Sequence, residues 1–345
     1  MERAIGTASR PHGHTATLGE TSFAIFLLPH FSMVAFASII EPLRLANRVS
    51  GKSIYNWVLV SSDGAPIQAS NGVEFQVHHS IEDIHFTDNI VMCGGIDGQR
   101  FEDPAVFAWL RRSAVRGAHL GATCTGSFAL ARAGVLNGHR CTVHWEHLAS
   151  LTETFPNLEV TGELFSIDRK RFTCAGGAAS ADMMLNLIAE VHGQAIAAEV
   201  SEQMLHDKIR PGTTRQSSVV QLPVGSDRED LRAAIALMHE LIETPVDLET
   251  LARRLGTSRR SLERLFRKFM ACSPAKYYLG LRLVRARQLL HQTSMPVVEV
   301  ALCCGFSSAT HFSRCYRDRY GMPPKADRFQ GLVGVQNEAR KALSV

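Results

Sequence analysis

The 345-residue sequence has few of the features that define metal-binding, disulfide-stabilised or membrane proteins. Its eight cysteines include no C-x-x-C pair and most lie in apolar runs, which argues against a zinc site and a disulfide framework. No apolar run reaches the roughly 18 residues that span a bilayer, and residues 1–20 lack the apolar core of a secretory signal. We therefore expect a cytoplasmic protein with reduced thiols, no metal, no cofactor and no membrane partner, which begins with a disordered tail at 1–20.

Charge is unevenly distributed along the chain. Residues 241–330 contain 16 Lys and Arg against 7 Asp and Glu, whereas residues 21–240 contain 17 against 23. The length and the 45% hydrophobic content are typical of about two globular domains. A basic domain joined to an acidic one suits a protein with one DNA-binding end.

The basic region contains one short pattern twice, with an offset of 49 residues before a central turn and 50 after it. The corresponding residues are Ala252, Gly256, Leu262, Arg264, Phe266 and Pro274 in the first copy and Ala301, Gly305, Phe312, Arg314, Tyr316 and Pro324 in the second. Each copy has the layout of a helix-turn-helix unit: a short helix, a glycine at the turn, and a second helix with polar residues at its start. In the first copy, Asp247 and Ser258 are suitable N-caps for the two helices.

The second helix of each copy is predicted to have an apolar and a polar face. The inward residues are Leu262, Leu265, Phe266 and Phe269 in the first copy and Ala309, Phe312, Cys315 and Tyr316 in the second. The polar residues predicted to contact DNA are Arg259, Arg260, Arg264 and Lys268 in the first copy and Ser307, Ser308, Thr310, His311, Arg314 and Arg317 in the second. Such side chains bind phosphates and base edges. Any amphipathic helix has a charged face, but two copies in register favour DNA binding.

The second copy reads GFSSATHFSRCYRDRYGMPPKADR and resembles the signature of the AraC/XylS family of bacterial transcription regulators. The resemblance covers about the last third of the chain. It implies two helix-turn-helix units joined by a long helix at 274–291, which read successive major-groove segments of double-stranded DNA, and it implies RNA polymerase as a partner. Pro323 departs from the family, which usually has a small polar residue there.

The chain before these units alternates between strands and helices, which predicts a doubly wound α/β sheet. Strands are expected at 23–28, 57–62, 89–93, 118–123, 141–145, 158–167 and 171–174, with a hairpin arm at 73–79. Helices are expected at 32–47, 104–115, 126–133, 146–154 and 178–192, with a helical pattern that continues to 206. The predicted organisation is an α/β domain at 21–206, a linker at 207–227, an all-α domain with the two helix-turn-helix units at 228–330, and a tail at 331–345.

One strand of the α/β domain runs directly into a helix at Gly121-Ala-Thr-Cys-Thr-Gly126. Glycines on both sides of Cys124 are typical of a nucleophile elbow, in which a tight turn pushes the central side chain into a pocket. Amide groups at the start of the helix would bind an anion or lower the pKa of a thiol. Gly94 and Gly95, which end a neighbouring strand, are predicted to add free amides to the same pocket.

The domain from 22 to 194 resembles the PfpI-type branch of the class I glutamine amidotransferase-like fold, with Cys124 at the nucleophile position. In enzymes of that branch a histidine follows the cysteine and an acid follows the first strand. Here Thr125 follows Cys124, and residues 32–36 contain no acid; Glu41 comes later and is interpreted as structural. A thiol without these partners lacks the parts of a covalent catalyst. The resemblance therefore leaves two hypotheses, a receptor or a cysteine hydrolase or deglycase joined to a DNA-binding domain.

The motifs Leu45-Ala-Asn, Leu130-Ala-Arg-Ala-Gly, Thr142-Val-His-Trp-Glu-His and Cys174-Ala-Gly-Gly resemble a narrower group, the AraC-type regulators with an amidotransferase-like sensor. Members sense small nitrogen compounds such as arginine, glycine betaine or carnitine and activate genes for their breakdown. The ligand residues implied here are Gly94, Gly95, Cys124, Thr125, His144 and Trp145. Trp145 would offer its ring to a cation, although His144 and Trp145 could equally be core residues. We therefore predict a homodimeric activator that a ligand controls. Besides the receptor and the enzyme, a third hypothesis is a sensor domain that only dimerises.

Overall fold

The computed structural model describes residues 20–216 and 229–329. The described residues divide into two compact units: the first contains 20–143 and 163–214, and the second contains 144–162, 215–216 and 229–329. The predicted tails, apart from residue 20, and the predicted linker from 217 onward lie outside the described residues. Within the described ranges, no helix is both long enough and apolar enough to cross a bilayer.

The strands, numbered in chain order, are β1 Thr21–Leu27, β2 Tyr55–Ser61, β3 Ile67–Gln68, β4 Glu74–Phe75, β5 His79–Ser80, β6 Asn89–Cys93, β7 His119–Thr123, β8 Arg140–Cys141, β9 Glu159–Val160, β10 Phe165–Asp168 and β11 Arg171–Cys174. Seven of them form the main sheet of the first unit in the order β10-β11-β7-β6-β1-β2-β5. All neighbours are parallel except β10 and β11. This is the predicted doubly wound α/β sheet.

The helices of the first unit are α1 Met33–Ser50, α2 Pro104–Val115, α3 Gly126–Arg132, α5 Ala179–His192 and α6 Gln194–Gln203. Ser32 and Asp103 cap α1 and α2 by accepting hydrogen bonds from backbone amides of the first turn. Ile25 and Leu27 pack in the core that α1 and α5 cover, whereas Phe26 points the other way and contacts Trp109 of α2. The central strands are apolar throughout because helices cover both faces.

Four predicted elements differ from the structure. The hairpin arm predicted at 73–79 is two short strands, β4 and β5, which belong to different sheets. The helical pattern after 192 is broken at Gly193, whose φ of 90° lies outside the helical region and separates α5 from α6. The strand predicted at 141–145 ends at Cys141, and 145–147 forms a 3-10 turn. The strand predicted at 158–167 is two short strands, β9 and β10, because the residues between them do not pair in the main sheet. Short apolar runs carry too little periodicity to settle such boundaries.

The second unit is helical. Its helices are α4 Leu148–Thr154, α7 Glu229–Glu240, α8 Leu248–Arg254, α9 Arg259–Met270, α10 Pro274–Gln292, α11 Val297–Cys303 and α12 Ala309–Tyr320. α7 packs with α8 and α9 in one apolar core, and the later part of α10 packs with α11 and α12 in another. The second core also includes Ala149 of α4, and Arg285 of α10 lies 3.6 Å from Glu153 of α4 and 2.7 Å from Glu243.

Candidate functional site

The predicted elbow is present in the first unit. β7 ends at Thr123 and α3 begins at Gly126, so only two residues make the reversal. Cys124 adopts a φ of 53°, which is unusual for a residue with a side chain. Its amide donates to the Cys174 carbonyl at 3.0 Å, and its side chain is half-buried. Strained backbone of this kind is concentrated at functional sites.

Close packing of backbone explains the glycines around the elbow. A Cβ atom on Gly94 would overlap the nitrogen of Gly126, and one on Gly126 would overlap the carbonyl of Met92. A Cβ on Gly176 would lie 2.8 Å from the Cβ of Cys124, below any ordinary contact distance. These glycines therefore allow the ends of β6, β7 and β11 to meet around Cys124.

The amides predicted to be free at Gly94 and Gly95 are not free, so that prediction needs correction. The Gly94 amide donates to the Thr123 carbonyl at 3.2 Å. The Gly95 amide donates to the Thr125 hydroxyl at 3.0 Å, and the same hydroxyl donates to the Gly95 carbonyl at 2.7 Å. Thr125 is completely buried. Its hydroxyl holds two loops together, so it does not face a ligand.

Two further thiols stand beside the elbow. Cys93, Thr123 and Cys174 share one register row across β6, β7 and β11. Burial raises the pKa of Cys93 and of Cys174 to about 12, despite hydrogen bonds from neighbouring hydroxyls that lower it. These thiols are therefore neutral packing groups at ordinary pH. The signal in the sequence was that each cysteine is the last residue of a buried strand. None of the eight cysteines, all within the described ranges, is in a disulfide.

The remaining predicted ligand residues belong to the second unit. The rings of His144 and Trp145 are 5.4 Å apart, and both side chains are half-buried. The amide of Glu146 donates to Nδ1 of His144 at 3.4 Å. Burial lowers the pKa of His144, and the charge of Glu146 opposes this shift. Of the six predicted ligand residues, the first unit brings together only Gly94, Gly95, Cys124 and Thr125. No three His, Cys, Asp or Glu side chains of the described ranges cluster as a metal site.

The first helix-turn-helix unit consists of α8 and α9. Asp247 and Ser258 cap these helices, accepting hydrogen bonds from Thr250 and Ser261 amides at 2.7 and 3.2 Å. The predicted turn glycine, Gly256, has a φ of 65°. Leu262 and Phe266 are buried, and Leu265 and Phe269 are half-buried. The opposite face presents exposed arginines at 260, 264 and 267.

The second helix-turn-helix, formed by α11 and α12, has the same construction as the first. Phe312 and Tyr316 are buried at positions equivalent to Leu262 and Phe266. Thr310, Arg314 and Arg317 are exposed 50 residues after the three arginines of α9. The predicted inward residues Ala309 and Cys315 are only half-buried, because they lie at the edges of the apolar face. The two copies therefore expose equivalent faces, and Arg267, omitted from the predicted contacts, is equivalent to Arg317.

Some predicted DNA residues already have other partners. The Ser308 hydroxyl caps α12 by accepting from the His311 amide at 3.3 Å. The His311 ring lies 3.4 Å from the Cys315 sulfur and near the Phe306 ring. Arg259 pairs with Glu263 at 3.0 Å on the same helix. Ser307 is exposed, and Lys268 lies beside the Phe269 ring. The exposed arginines at 264 and 314, at equivalent positions, thus remain the strongest candidates for DNA contact.

Two groups fix the second helix-turn-helix in place. Arg282 of α10 donates to the carbonyls of Cys304 and Gly305, at 2.8 Å each, and lies over the Phe306 ring. Near the end of the unit, Asp327 is 2% exposed and accepts from the Tyr316 hydroxyl at 2.7 Å. Burial opposes ionisation of Asp327, but hydrogen bonds, from Tyr316 first and then from Arg287 and His291, lower its pKa.

Known protein families match both the α/β part and the helix-turn-helix part of the chain. The DJ-1/PfpI family matches residues 25–190, and a helix-turn-helix domain family matches residues 251–330. The chain is 45% identical over 307 residues to the HTH-type transcriptional regulator GbdR of Pseudomonas aeruginosa, covering 89% of this chain and 84% of that protein. It is 44% identical over 306 residues to the HTH-type transcriptional regulator CdhR of the same species, covering 89% and 91%.

Among solved structures, an AraC family transcriptional regulator from Pseudomonas putida matches with a TM-score of 0.50 and 30% identity, covering 53% of this chain and 99% of that one. The match therefore concerns one part of the chain, whereas the regulators from Pseudomonas aeruginosa align with nearly all of it. Since identity of this level extends across both units, the chain belongs to the family of AraC-type transcriptional regulators that join a DJ-1/PfpI-like α/β domain to a carboxyl-terminal pair of helix-turn-helix units.

Proposed function

We propose that this regulator contacts operator DNA through the exposed faces of α9 and α12, and that a small nitrogen-containing metabolite controls this binding from the α/β domain. The main support for these DNA contacts is that the two copies of the repeat expose equivalent helix faces. Arg264 and Arg314 are both exposed, 50 residues apart, on the faces opposite Leu262 and Phe312. Two equivalent basic faces suit two successive major-groove segments.

The DNA contacts are tested with Arg264→Ala and Arg314→Ala in fluorescence anisotropy on promoter duplex and on scrambled duplex. An arginine that reads a base should cost about 1–3 kcal/mol on the promoter sequence only. One that contacts phosphate should weaken both duplexes and reduce the slope of log K against log salt by about 0.9. Arg111→Ala, at an exposed position of α2, is the matched control. Unchanged binding in both variants would refute these contacts.

The proposed inducer is a compound of the class of glycine betaine, carnitine and arginine. The resemblance to AraC-type regulators with an amidotransferase-like sensor implies this class. The elbow supports a ligand site because Cys124 holds a strained φ and a half-buried side chain where three loops meet. The amides of Gly94 and Gly95 are occupied, so recognition at the elbow depends on Cys124 and on other side chains of the same unit. Each compound can be screened by thermal shift, since a ligand at 100 times its Kd stabilises the protein by about 2.7 kcal/mol.

A receptor is favoured over a cysteine hydrolase because of the residue after the nucleophile position. Enzymes of the resembled branch have histidine there, whereas Thr125 is buried and bonded to Gly95. A hydroxyl in that role cannot act as a general base. The strained Cys124 and the match to the DJ-1/PfpI family favour an enzyme. Turnover of glyoxal-modified or peptide substrates that Cys124→Ala abolishes would support the enzyme; ligand binding without turnover supports the receptor.

The wider organisation follows from the same proposal. The α/β unit, which extends to 214, would pair two chains as a homodimer, the linker after it would pass the ligand signal on, and the domain at 228–330 would recruit RNA polymerase as an activator in the cytoplasm. Light scattering of the full chain tests the dimer. Transcription from the target promoter with and without inducer tests activation, and a constant transcript level would contradict it.

A further inference from the structure

A groove of about 550 Å³ lies at the amino ends of the strands in the first unit. Thr21, Asn89 and His119, the first residues of β1, β6 and β7, line it together with Tyr55, the first residue of β2. The elbow lies at the opposite edge, where β6 and β7 end. A volume of this size is typical of small-molecule sites, which range over roughly 300–1,000 Å³.

The groove has an aromatic floor and an apolar rim. Phe23, Tyr55 and Phe172 line it with side chains that are at most 4% exposed. Two rim residues leave large apolar side chains in water: Phe86 is 64% exposed and Val191 is 66% exposed. Exposed apolar side chains that gather around a concave surface mark binding sites more often than isolated ones do.

Two carboxylates line the same groove, those of Asp88 and Glu190. Among the described residues neither forms an ion pair; Asp88 is held by the amide and hydroxyl of Ser22 at 2.8 and 2.7 Å. The guanidinium of Arg169, which also lines the groove, is neutralised by Asp168 at 2.9 Å. The carboxylates are thus negative charges beside an exposed aromatic ring.

The basic side chains near the groove are neutral or bonded to other groups, so they do not pair with its carboxylates. Burial lowers the pKa of His119, with smaller contributions from Lys170 and Arg171 and opposing ones from Asp88 and Glu190. His119 is therefore neutral at pH 7. The Lys170 ammonium donates to the Gly117 carbonyl at 3.0 Å, at the β7 end of the groove. Asp88 directly precedes β6, which lies between β7 and β1 in the sheet, and its carboxylate is bonded to Ser22 of β1.

We propose that this groove binds a small organic cation, of the quaternary ammonium or guanidinium class, between the Phe86 ring and the carboxylates of Asp88 and Glu190. An aromatic face attracts such cations through its quadrupole, and the carboxylates supply the counter-charge, since neither forms an ion pair with another described residue. The site is separate from the elbow, so it stands whether or not the elbow binds an inducer. It gives the α/β domain a second point at which a metabolite can stabilise it.

The test is isothermal titration calorimetry of the full-length protein with choline and with its neutral carbon analogue, 3,3-dimethylbutan-1-ol. Choline should bind at least about fivefold more tightly, since the two differ only in charge. Phe86→Leu keeps apolar bulk but removes the ring, and Glu190→Gln keeps shape but removes the charge. Each should weaken choline binding by about five- to thirtyfold. Glu199→Gln, an exposed carboxylate on α6, should have no effect.

The outcomes separate this site from the elbow. Equal affinity for choline and the neutral alcohol, or no saturable choline binding, would overturn the groove proposal. Choline binding that Cys124→Ser abolishes, but that neither Phe86→Leu nor Glu190→Gln changes, would also overturn it while supporting ligand sensing at the elbow. Two choline molecules per chain, one lost in each set of variants, would support both sites.

Discussion

Asp182→Asn should destabilise the first unit strongly, because the Asp182 carboxylate is completely buried on α5. Its Oδ2 accepts hydrogen bonds from Nε and Nη2 of Arg210 at 2.8 and 2.5 Å. Its Oδ1 accepts from the Arg210 amide at 2.8 Å and lies 2.9 Å from Nε2 of His206. These contacts hold the segment after α6 against the unit. The predicted linker began at 207, but 207–214 groups with this unit.

The magnitude follows from the contacts that asparagine cannot make. Its Nδ2 group would face two N–H donors of Arg210, so two charge-assisted hydrogen bonds of about 1.5–3 kcal/mol each are lost. The Arg210 side chain is 37% exposed, and water therefore compensates part of the loss. We expect the free energy of unfolding to fall by about 2–4 kcal/mol, below the usual cost of breaking a fully buried pair. For a unit of this size, Tm should fall by about 4–16 °C.

Differential scanning calorimetry of the full chain measures this effect, with circular dichroism to establish that the variant folds. Asp207→Asn is the matched control, because Asp207 is exposed on the same segment; it should change stability by less than about 0.5 kcal/mol. If Asp182→Asn also stayed within about 0.5 kcal/mol of wild type, the assignment of the carboxylate as an anchor for 206–214 would be wrong.

Three further predictions use the same calorimetric assay. Gly94→Ala should destabilise far more than Gly162→Ala, because a Cβ at 94 overlaps elbow backbone, whereas a Cβ at 162 would meet only the Leu148 side chain at an ordinary 3.8 Å; similar losses would contradict this. Arg282→Met should cost about 2–4 kcal/mol, since two turn carbonyls lose a charged donor, and a loss below about 1 kcal/mol would argue against that role. Burial, aided by His144, lowers the pKa of His147 from 6.5 to about 4. The unfolded chain therefore binds the extra proton first, and stability should fall by up to about 3 kcal/mol as the pH drops from 6.5 to 4. Other buried histidines contribute to the same pH dependence, so His147→Gln should reduce this slope by the His147 contribution, and an unchanged slope would refute the prediction.

The elements that were predicted well carry strong local signals. Asn89–Cys93 contains the apolar run Ile90-Val-Met-Cys93 and forms β6 with the predicted bounds. Asp103 followed by Pro104 predicted the start of α2, because a capping carboxylate and a proline at the first helical position are both local requirements. The duplicated pattern predicted two helix-turn-helix units, and the buried positions of α9 and α12 agree with it.

Predictions were less accurate where hydrogen bonds join distant segments. The elbow was predicted from glycines around Cys124, and its positive φ agrees. The Gly95 amide donates a hydrogen bond to Thr125, which is 30 residues away, and no local sequence pattern reveals this contact. In the same way, the segment at 144–162 follows β8 in sequence but groups with the helical unit. Contacts between distant residues depend on how the elements pack.

The two classes of domain, the caps and turns of the helices, the repeated recognition helices and the position of the elbow could be predicted from the sequence, because each has a signal in a short stretch of the chain. The packing of distant segments was needed to show which amides and hydroxyls are occupied, that Asp182 anchors the chain after α6, and that Phe86, Asp88 and Glu190 line one groove. The packing of strands and helices determines which charges and hydrogen-bonding groups already have partners and which are left for a ligand.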